Sequence, residues 1–201
     1  MKFPENIEEI GALQPDFMGF IFYSKSKRFV GENFSIASLQ NLPKSVKKVG
    51  VFVNENTEII LEKVNKYQLD SLQLHGNESV ADCRFFQEKN IEIIKAFSVD
   101  EIFDFGILKS YQSVCDYFLF DTKTPDFGGS GKVFDWNLLA KYKLQTPFFL
   151  SGGLHLESIE KIKKLDFTML IGLDFNSQLE NEDYQKNIEK VTAVIQKIRT
   201  K

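Results

Sequence analysis

The chain has 201 residues, 43% hydrophobic and 26% charged, with 25 basic against 28 acidic side chains for a net charge of −3. That composition argues against disorder and offers no basic surface for nucleic acid, and no apolar run approaches the roughly 18 residues a membrane span needs. A single domain spanning residues 1–201 is expected, large enough to bury roughly 70% of the surface its unfolded chain exposes.

The amino terminus, MKFPENIEEI, lacks an apolar signal region, so a cytoplasmic protein is expected. Two cysteines, Cys83 and Cys115, make neither a disulfide framework nor a metal-ligand cluster. They read as free thiols of a reducing compartment. Phe is abundant, at 20 residues, and many of these lie in apolar runs as core filling.

Residues 4–13 read as a helix, with Pro4 suited to its first turn and Ile7, Ile10 and Leu13 on one face. Seven apolar, β-rich runs follow: 16–22, 48–53, 70–74, 91–97, 116–120, 147–151 and 167–171. Such runs, bounded by turn residues and not alternating with polar ones, suit strands buried on both faces of a parallel sheet. Between them lie helical patterns, among them 57–66, 78–88, 156–164 and a long closing segment, 182–199. Strand starts recur about every 20–32 residues, the length of one βα unit.

The count is about eight helices to seven strands, and the chain begins on a helix. A TIM (β/α)8 barrel begins on a strand. The expected fold is therefore that α/β barrel with its first strand missing from this chain, leaving unsatisfied backbone groups on both flanks of an open slot. A seven-unit open sheet is the alternative.

In such a barrel the strand C-termini carry the chemistry, and the loops after the last two strands commonly bind phosphate. Asp121 ends the apolar run at 117–120, where a carboxylate is well placed to act on a small anionic substrate. Arg28 lies in the polar loop after the first run, either as part of a solvated basic loop or as a guanidinium reaching a carboxylate or phosphate. In LQLHG, Gln73 and His75 bracket one step of inward/outward alternation, and His75 is as readily structural as functional. His155, at a helix entrance, reads as merely exposed.

The last two strands end in Ser151-Gly152-Gly153-Leu154 and Gly172-Leu173-Asp174-Phe175-Asn176-Ser177. Paired glycines let backbone N–H groups approach a phosphate, and Asn or Ser can cap a helix or bind its oxygens. The block Gly128-Gly129-Ser130-Gly131-Lys132 is not a nucleotide-binding P-loop, since Val133 follows the lysine. It reads as a flap over a substrate, ahead of a helix start at Phe134-Asp135-Trp136.

Taken together, GFIFYSKSKRFV, KKVGVFVN, LQLHGNES, IKAF, FLFDTK, GGSGKVFDW, FFLSGGL and GLDFNSQLE resemble, in order and over nearly the whole chain, the phosphoribosylanthranilate isomerases of tryptophan biosynthesis. The resemblance implies an Amadori rearrangement of N-(5-phosphoribosyl)anthranilate to 1-(2-carboxyphenylamino)-1-deoxyribulose 5-phosphate. It makes Asp121 the general acid. Arg28 and His75 fall on the anthranilate side, and Gln73, Gly129, Gly152, Gly153, Asp174, Asn176 and Ser177 among the remaining substrate contacts, with phosphate held by Gly153, Asn176 and Ser177.

The resemblance further implies no metal and no organic cofactor, because the substrate's own nitrogen is the electron sink. The expected partner is a small phosphosugar-anthranilate, with no nucleic acid or membrane, and the chain a monomer or homodimer. The family's general base is a cysteine ending the first strand, just ahead of the residue aligned with Met1, so impaired turnover is expected of this chain. Gln178 stands where many relatives carry Gly. Other readings are a non-catalytic phosphate-binding barrel, a chain completed by a strand from a partner, or another ribose-phosphate barrel enzyme. Among the last, an indole-glycerol-phosphate synthase would need a catalytic lysine, for which Lys95 is the candidate. An epimerase would need more metal-binding histidines than the two present.

Overall fold

A computed structural model of the chain describes residues 1–122 and 135–200. The chain divides into two units, Met1–Asn77 with Leu179–Lys201, and Glu78–Gln178.

The first unit opens with α1 (Pro4–Ala12), with proline in its first turn and Ile7 and Ile10 buried. Strands β1 (Phe17–Ile21), β2 (Lys47–Phe52) and β3 (Ser71–Leu74) then pair in parallel, each beside its sequence neighbour. Helix α2 (Ala37–Gln40) connects the first two strands and α3 (Thr57–Tyr67) the next two. Asn56 caps α3 by accepting from the Glu58 amide, and Gln68 ends it in the left-handed conformation. Phe22 stacks on Phe52 with centroids 5.1 Å apart, and the Tyr67 hydroxyl donates to the Phe34 carbonyl at 3.0 Å. These aromatics fill the space between strands and helices, as the phenylalanine count foretold.

The outer edge of β1 is not bare. Phe22 N–H bonds back to Val51 of β2, so the backbone groups of Gly19 and Ile21 face the other way. There the amino group of Met1 donates to the Gly19 carbonyl at 2.6 Å, and Val30 N–H to the Ile21 carbonyl at 3.0 Å. The slot expected beside this strand is thus partly closed by the chain's own first residue and the loop after β1.

In the second unit β4 (Glu92–Val99), β5 (Tyr117–Thr122), β6 (Phe148–Leu150) and β7 (Leu170–Leu173) again pair in parallel in chain order. The returning segments are α4 (Val80–Gln87), a short 3-10 turn with α5 (Leu108–Tyr111), a 3-10 helix at Trp136–Lys141 and α6 (Ser158–Lys163). Ser79 and Asp82 close a reciprocal capping box on α4. Asp135 caps the helix at Trp136, where a start was expected. The last helix, α7 (Ile188–Arg199), belongs to the first unit. Among the described residues, seven strands in parallel βα succession, with about as many helices as expected, make this the TIM-barrel class with one strand fewer.

Two boundaries differ from expectation. The last strand runs Leu170–Leu173 and not 167–171, because Leu170 N–H bonds to the Phe167 carbonyl and makes the preceding stretch a turn. The closing helix starts at Ile188 and not 182, because Glu180 and Lys186 pair as an antiparallel bridge and Asn187 caps the helix. In β7, Ile171 is half-exposed and falls at a register shift, since Phe148 pairs with Leu170 but Phe149 with Gly172.

Lys95 of β4 is 2% exposed and its ammonium lies 3.1 Å from the Glu78 carboxylate, itself buried. It also donates to the Ala96 carbonyl at 3.0 Å. Lys95 is two residues from Phe97, on the strand face whose rings meet Tyr111 of α5, so it points to the helical layer. Cys83 and Cys115 are free and buried. They share a hydrogen bond, and that bond together with burial pushes the Cys115 thiol far above its ordinary range. Replacing Glu78 by Ala would strand the Lys95 charge in the core, at a cost of roughly 3–5 kcal/mol. Urea unfolding of Glu78→Ala measures it, and a loss near zero would mean Lys95 finds water in the folded protein.

Candidate active site

The register of the second unit sets its strand ends level. Phe120 pairs with Leu150, and Leu150 with Leu173. Asp121, Ser151 and Asp174 are each the next residue, and the ladder runs one rung further through Ser151 N–H to the Phe120 carbonyl and Asp174 N–H to the Leu150 carbonyl, both 2.8 Å. Side chains from three distant parts of the sequence therefore emerge at one rim.

Asp121 is half-buried at this rim, and its Oδ1 accepts from the Thr122 amide at 2.8 Å. The backbone of Gly152 packs against the same carboxylate. A Cβ on Gly152 would stand 2.7 Å from Asp121 Oδ1 and 2.6 Å from the Thr122 nitrogen, and its φ of +90° is one few side chains tolerate. Gly153 follows at φ +65°, so two successive residues turn in a way that only glycine adopts readily. Ser151 is buried, and its hydroxyl reaches Asp174 Oδ2 at 3.4 Å. Asn176 and Ser177 leave the adjacent strand, and Ser177 opens a 3-10 turn at Ser177–Leu179. The structure thus brings Asp121, Gly152, Gly153, Asp174, Asn176 and Ser177 onto neighbouring strand ends. Gly129 lies outside the described residues, as does the rest of the flap.

In the first unit, Gln73 and His75 stand at the end of β3. Gln73 Nε2 lies 2.7 Å from His75 Nδ1. Arg28 is neither a solvated loop residue nor a free guanidinium. Its Nε and Nη2 grip the two oxygens of Glu180 at 2.6 and 2.5 Å, and Lys186 Nζ approaches the same carboxylate at 2.7 Å. Burial pushes the Glu180 carboxyl up, but the Arg28 hydrogen bonds and the Lys186 charge outweigh it and hold the group below its ordinary value. Sequence reasoning missed Glu180 and Lys186; a lone acid in a polar loop carries no sign that it will be buried. His155, expected to be merely exposed, is half-exposed and lies 3.0 Å from Glu157.

The sequence profile of the N-(5'-phosphoribosyl)anthranilate isomerase family matches residues 2–197. The chain belongs to that family. An N-(5'-phosphoribosyl)anthranilate isomerase of Parabacteroides distasonis is 46% identical over 202 residues, covering 98% of this chain and 90% of the relative. The crystal structure of the Thermotoga maritima phosphoribosylanthranilate isomerase superposes with a TM-score of 0.86 at 34% identity, over 99% of this chain and 95% of that one. A further isomerase structure, solved in complex with reduced 1-(o-carboxyphenylamino)-1-deoxyribulose 5-phosphate, gives a TM-score of 0.82 at 30% identity, with 99% and 95% coverage. The chain is thus an enzyme by family, with the family's fold, and Asp121 and the two glycines fall on the rim where barrel enzymes hold their chemistry.

Because Gly152 has no room for a side chain beside Asp121, Gly152→Ala should destabilise the protein by roughly 1–3 kcal/mol. It should also displace the carboxylate. Thermal unfolding together with a crystal structure of the variant checks both, and an unchanged melting temperature with Asp121 in place would contradict the packing described.

Proposed function

We propose that this chain acts on N-(5-phosphoribosyl)anthranilate, rearranging it to 1-(2-carboxyphenylamino)-1-deoxyribulose 5-phosphate, and that residues 1–201 work as one barrel domain. The observation that carries the reading is the Asp121 carboxyl at a strand end, with the Gly152 backbone packed directly against it. Asp121 gives a proton to the furanose ring oxygen, the ring C–O bond breaks, and the substrate nitrogen's lone pair forms an iminium. A base then removes the C2 proton, and the electron pair left behind gives an enolamine that tautomerises to the ketone. Holding an acid at hydrogen-bond distance from the atom it protonates is worth roughly 10²–10⁴ in rate.

The substrate carries two anions at opposite ends. The phosphate is assigned to Gly152, Gly153, Asn176 and Ser177, Gly129 is counted among the substrate contacts, and Asp174 positions the loop through Ser151. Backbone N–H groups at successive left-handed residues are good anion donors. The anthranilate end is assigned to Arg28, Gln73 and His75. The reaction needs no redox partner, since oxidation at C2 is balanced by reduction at C1 of the same molecule. Such a substrate fits a cytoplasmic enzyme, monomeric or homodimeric, and among the described residues no helix is long and apolar enough to cross a membrane.

The base is the weak point. Cys83 lies within α4, and Cys115 precedes β5, at the opposite end of that strand from Asp121. Neither is a thiol at a strand C-terminus, so neither is placed to be that base.

Turnover followed by loss of phosphoribosylanthranilate fluorescence tests the assignment. The chain extended by a cysteine-bearing first strand should be active, the 201-residue chain slower by about 10²–10⁴-fold, and Asp121→Asn in the extended form nearly silent. Equal rates with and without the extension would contradict the missing base. Undiminished activity in Asp121→Asn would remove the acid, and binding without turnover in every form would leave the non-catalytic reading.

A further inference from the structure

Arg28 is held more elaborately than a surface arginine needs to be. Its guanidinium makes a two-pronged bond to Glu180, whose side chain is 5% exposed, and lies 5.6 Å over the ring of Tyr184. The fork fixes the plane of the guanidinium and the ring supports one of its faces.

Glu180 is itself fixed. Its residue bridges Lys186 in antiparallel fashion, Asn181 N–H bonds to the Gln185 carbonyl at 2.8 Å, and Asn187 N–H to the Leu179 carbonyl at 2.7 Å. Asn6 of α1, 3% exposed, clamps this loop with both ends of its amide. It donates to the Lys186 carbonyl at 2.9 Å and accepts from the Lys186 amide at 2.8 Å. The Glu180 carbonyl accepts from Lys190 Nζ at 3.2 Å. Such a chain of supports is what keeps a charged side chain in one rotamer.

Two cations, Arg28 and Lys186, share the Glu180 carboxylate in a poorly solvated place. A guanidinium has five N–H donors, and Glu180 takes two. Three remain on a group already immobilised and only 16% exposed. A donor set of that kind is complementary to a second carboxylate, and its cost of ordering has been met before any ligand arrives.

We infer that Glu180 is a positioning residue: it locks Arg28 so that the remaining donors of the guanidinium select ligands bearing an aromatic carboxylate. The inference rests on the proposed function, which assigns Arg28 to the anthranilate end of the substrate. Glu180 never touches that ligand. Its effect is confined to how well Arg28 does so, and this separates positioning from a bridge that merely holds the fold together.

Binding tests it without requiring a general base. Calorimetry with the 201-residue chain compares two probes: reduced 1-(o-carboxyphenylamino)-1-deoxyribulose 5-phosphate, and the same compound without the ring carboxylate. The protein should prefer the carboxylate. Glu180→Gln should lose about tenfold of that preference, while the carboxylate-free probe binds within about twofold of its original affinity. Should Glu180→Gln fail to fold, Arg28→Lys carries the test, since it keeps the charge but cannot be gripped as a fork, and it must lose the same preference. Retained preference in the variant that folds, or equal weakening of both probes, overturns the inference. If the unmutated chain binds neither probe, the proposed function fails first, and the inference falls with it.

Discussion

Everything at the candidate site depends on register. In a parallel sheet every strand points the same way, so a residue's height depends only on its offset from the paired neighbours. The alignment of Phe120, Leu150 and Leu173 makes Asp121, Ser151 and Asp174 the first residues past the buried ladder on three adjacent strands. A slip of one residue in β6 would turn Ser151 and Leu150 to opposite faces and remove the glycine turn from the carboxylate. The buried faces of those strands, Phe118, Leu119, Phe120, Phe148 and Leu150, hold the register because each is nearly inaccessible and the rings of Phe118, Phe120 and Phe148 pack on one another. Packing deep in the unit is therefore what aims the chemistry at its rim.

Charge is handled differently at two depths. In the helical layer, Lys95 and Glu78 cancel, and the Glu78 carbonyl also accepts from the Tyr111 hydroxyl, so that cluster presents no net field and serves the fold. In the loops that follow β1 and precede α7, Arg28 and Lys186 both lean on Glu180. The first arrangement is costly to break and serves the fold. The second is equally buried at the carboxylate but takes only two of the five guanidinium donors, which suits a group prepared for an anion.

Much of this was legible in the sequence because it is local. Apolar runs without alternation announced strands covered on both faces, and Pro4 announced the first helix. Asp121 could be picked out because an acid directly after a buried run has few other reasons to be there. Local pattern failed at the last strand and the last helix, where a turn at Phe167 and the Glu180–Lys186 bridge displaced the boundaries by 3 and 6 residues. Reading Glu180 was harder still, since its partner Arg28 is 152 residues away in sequence. Nothing near a lone glutamate tells that a distant arginine and an amide on the first helix will bury it. The approach of Gly152 to Asp121 is invisible for the same reason: a glycine pair reads equally well as a strand terminator.

The central claim is that level strand ends in the second unit form an anion cradle beside an acid. A titration of isotope-labelled protein with inorganic phosphate, followed through backbone amide resonances, tests it most directly. The account predicts saturable shifts concentrated at Gly152, Gly153, Asn176 and Ser177, with a smaller response at Thr122, whose amide bonds the Asp121 carboxylate. Shifts confined to the opposite ends of the strands, around Asp116 and Pro147, or none at these loops, would contradict it.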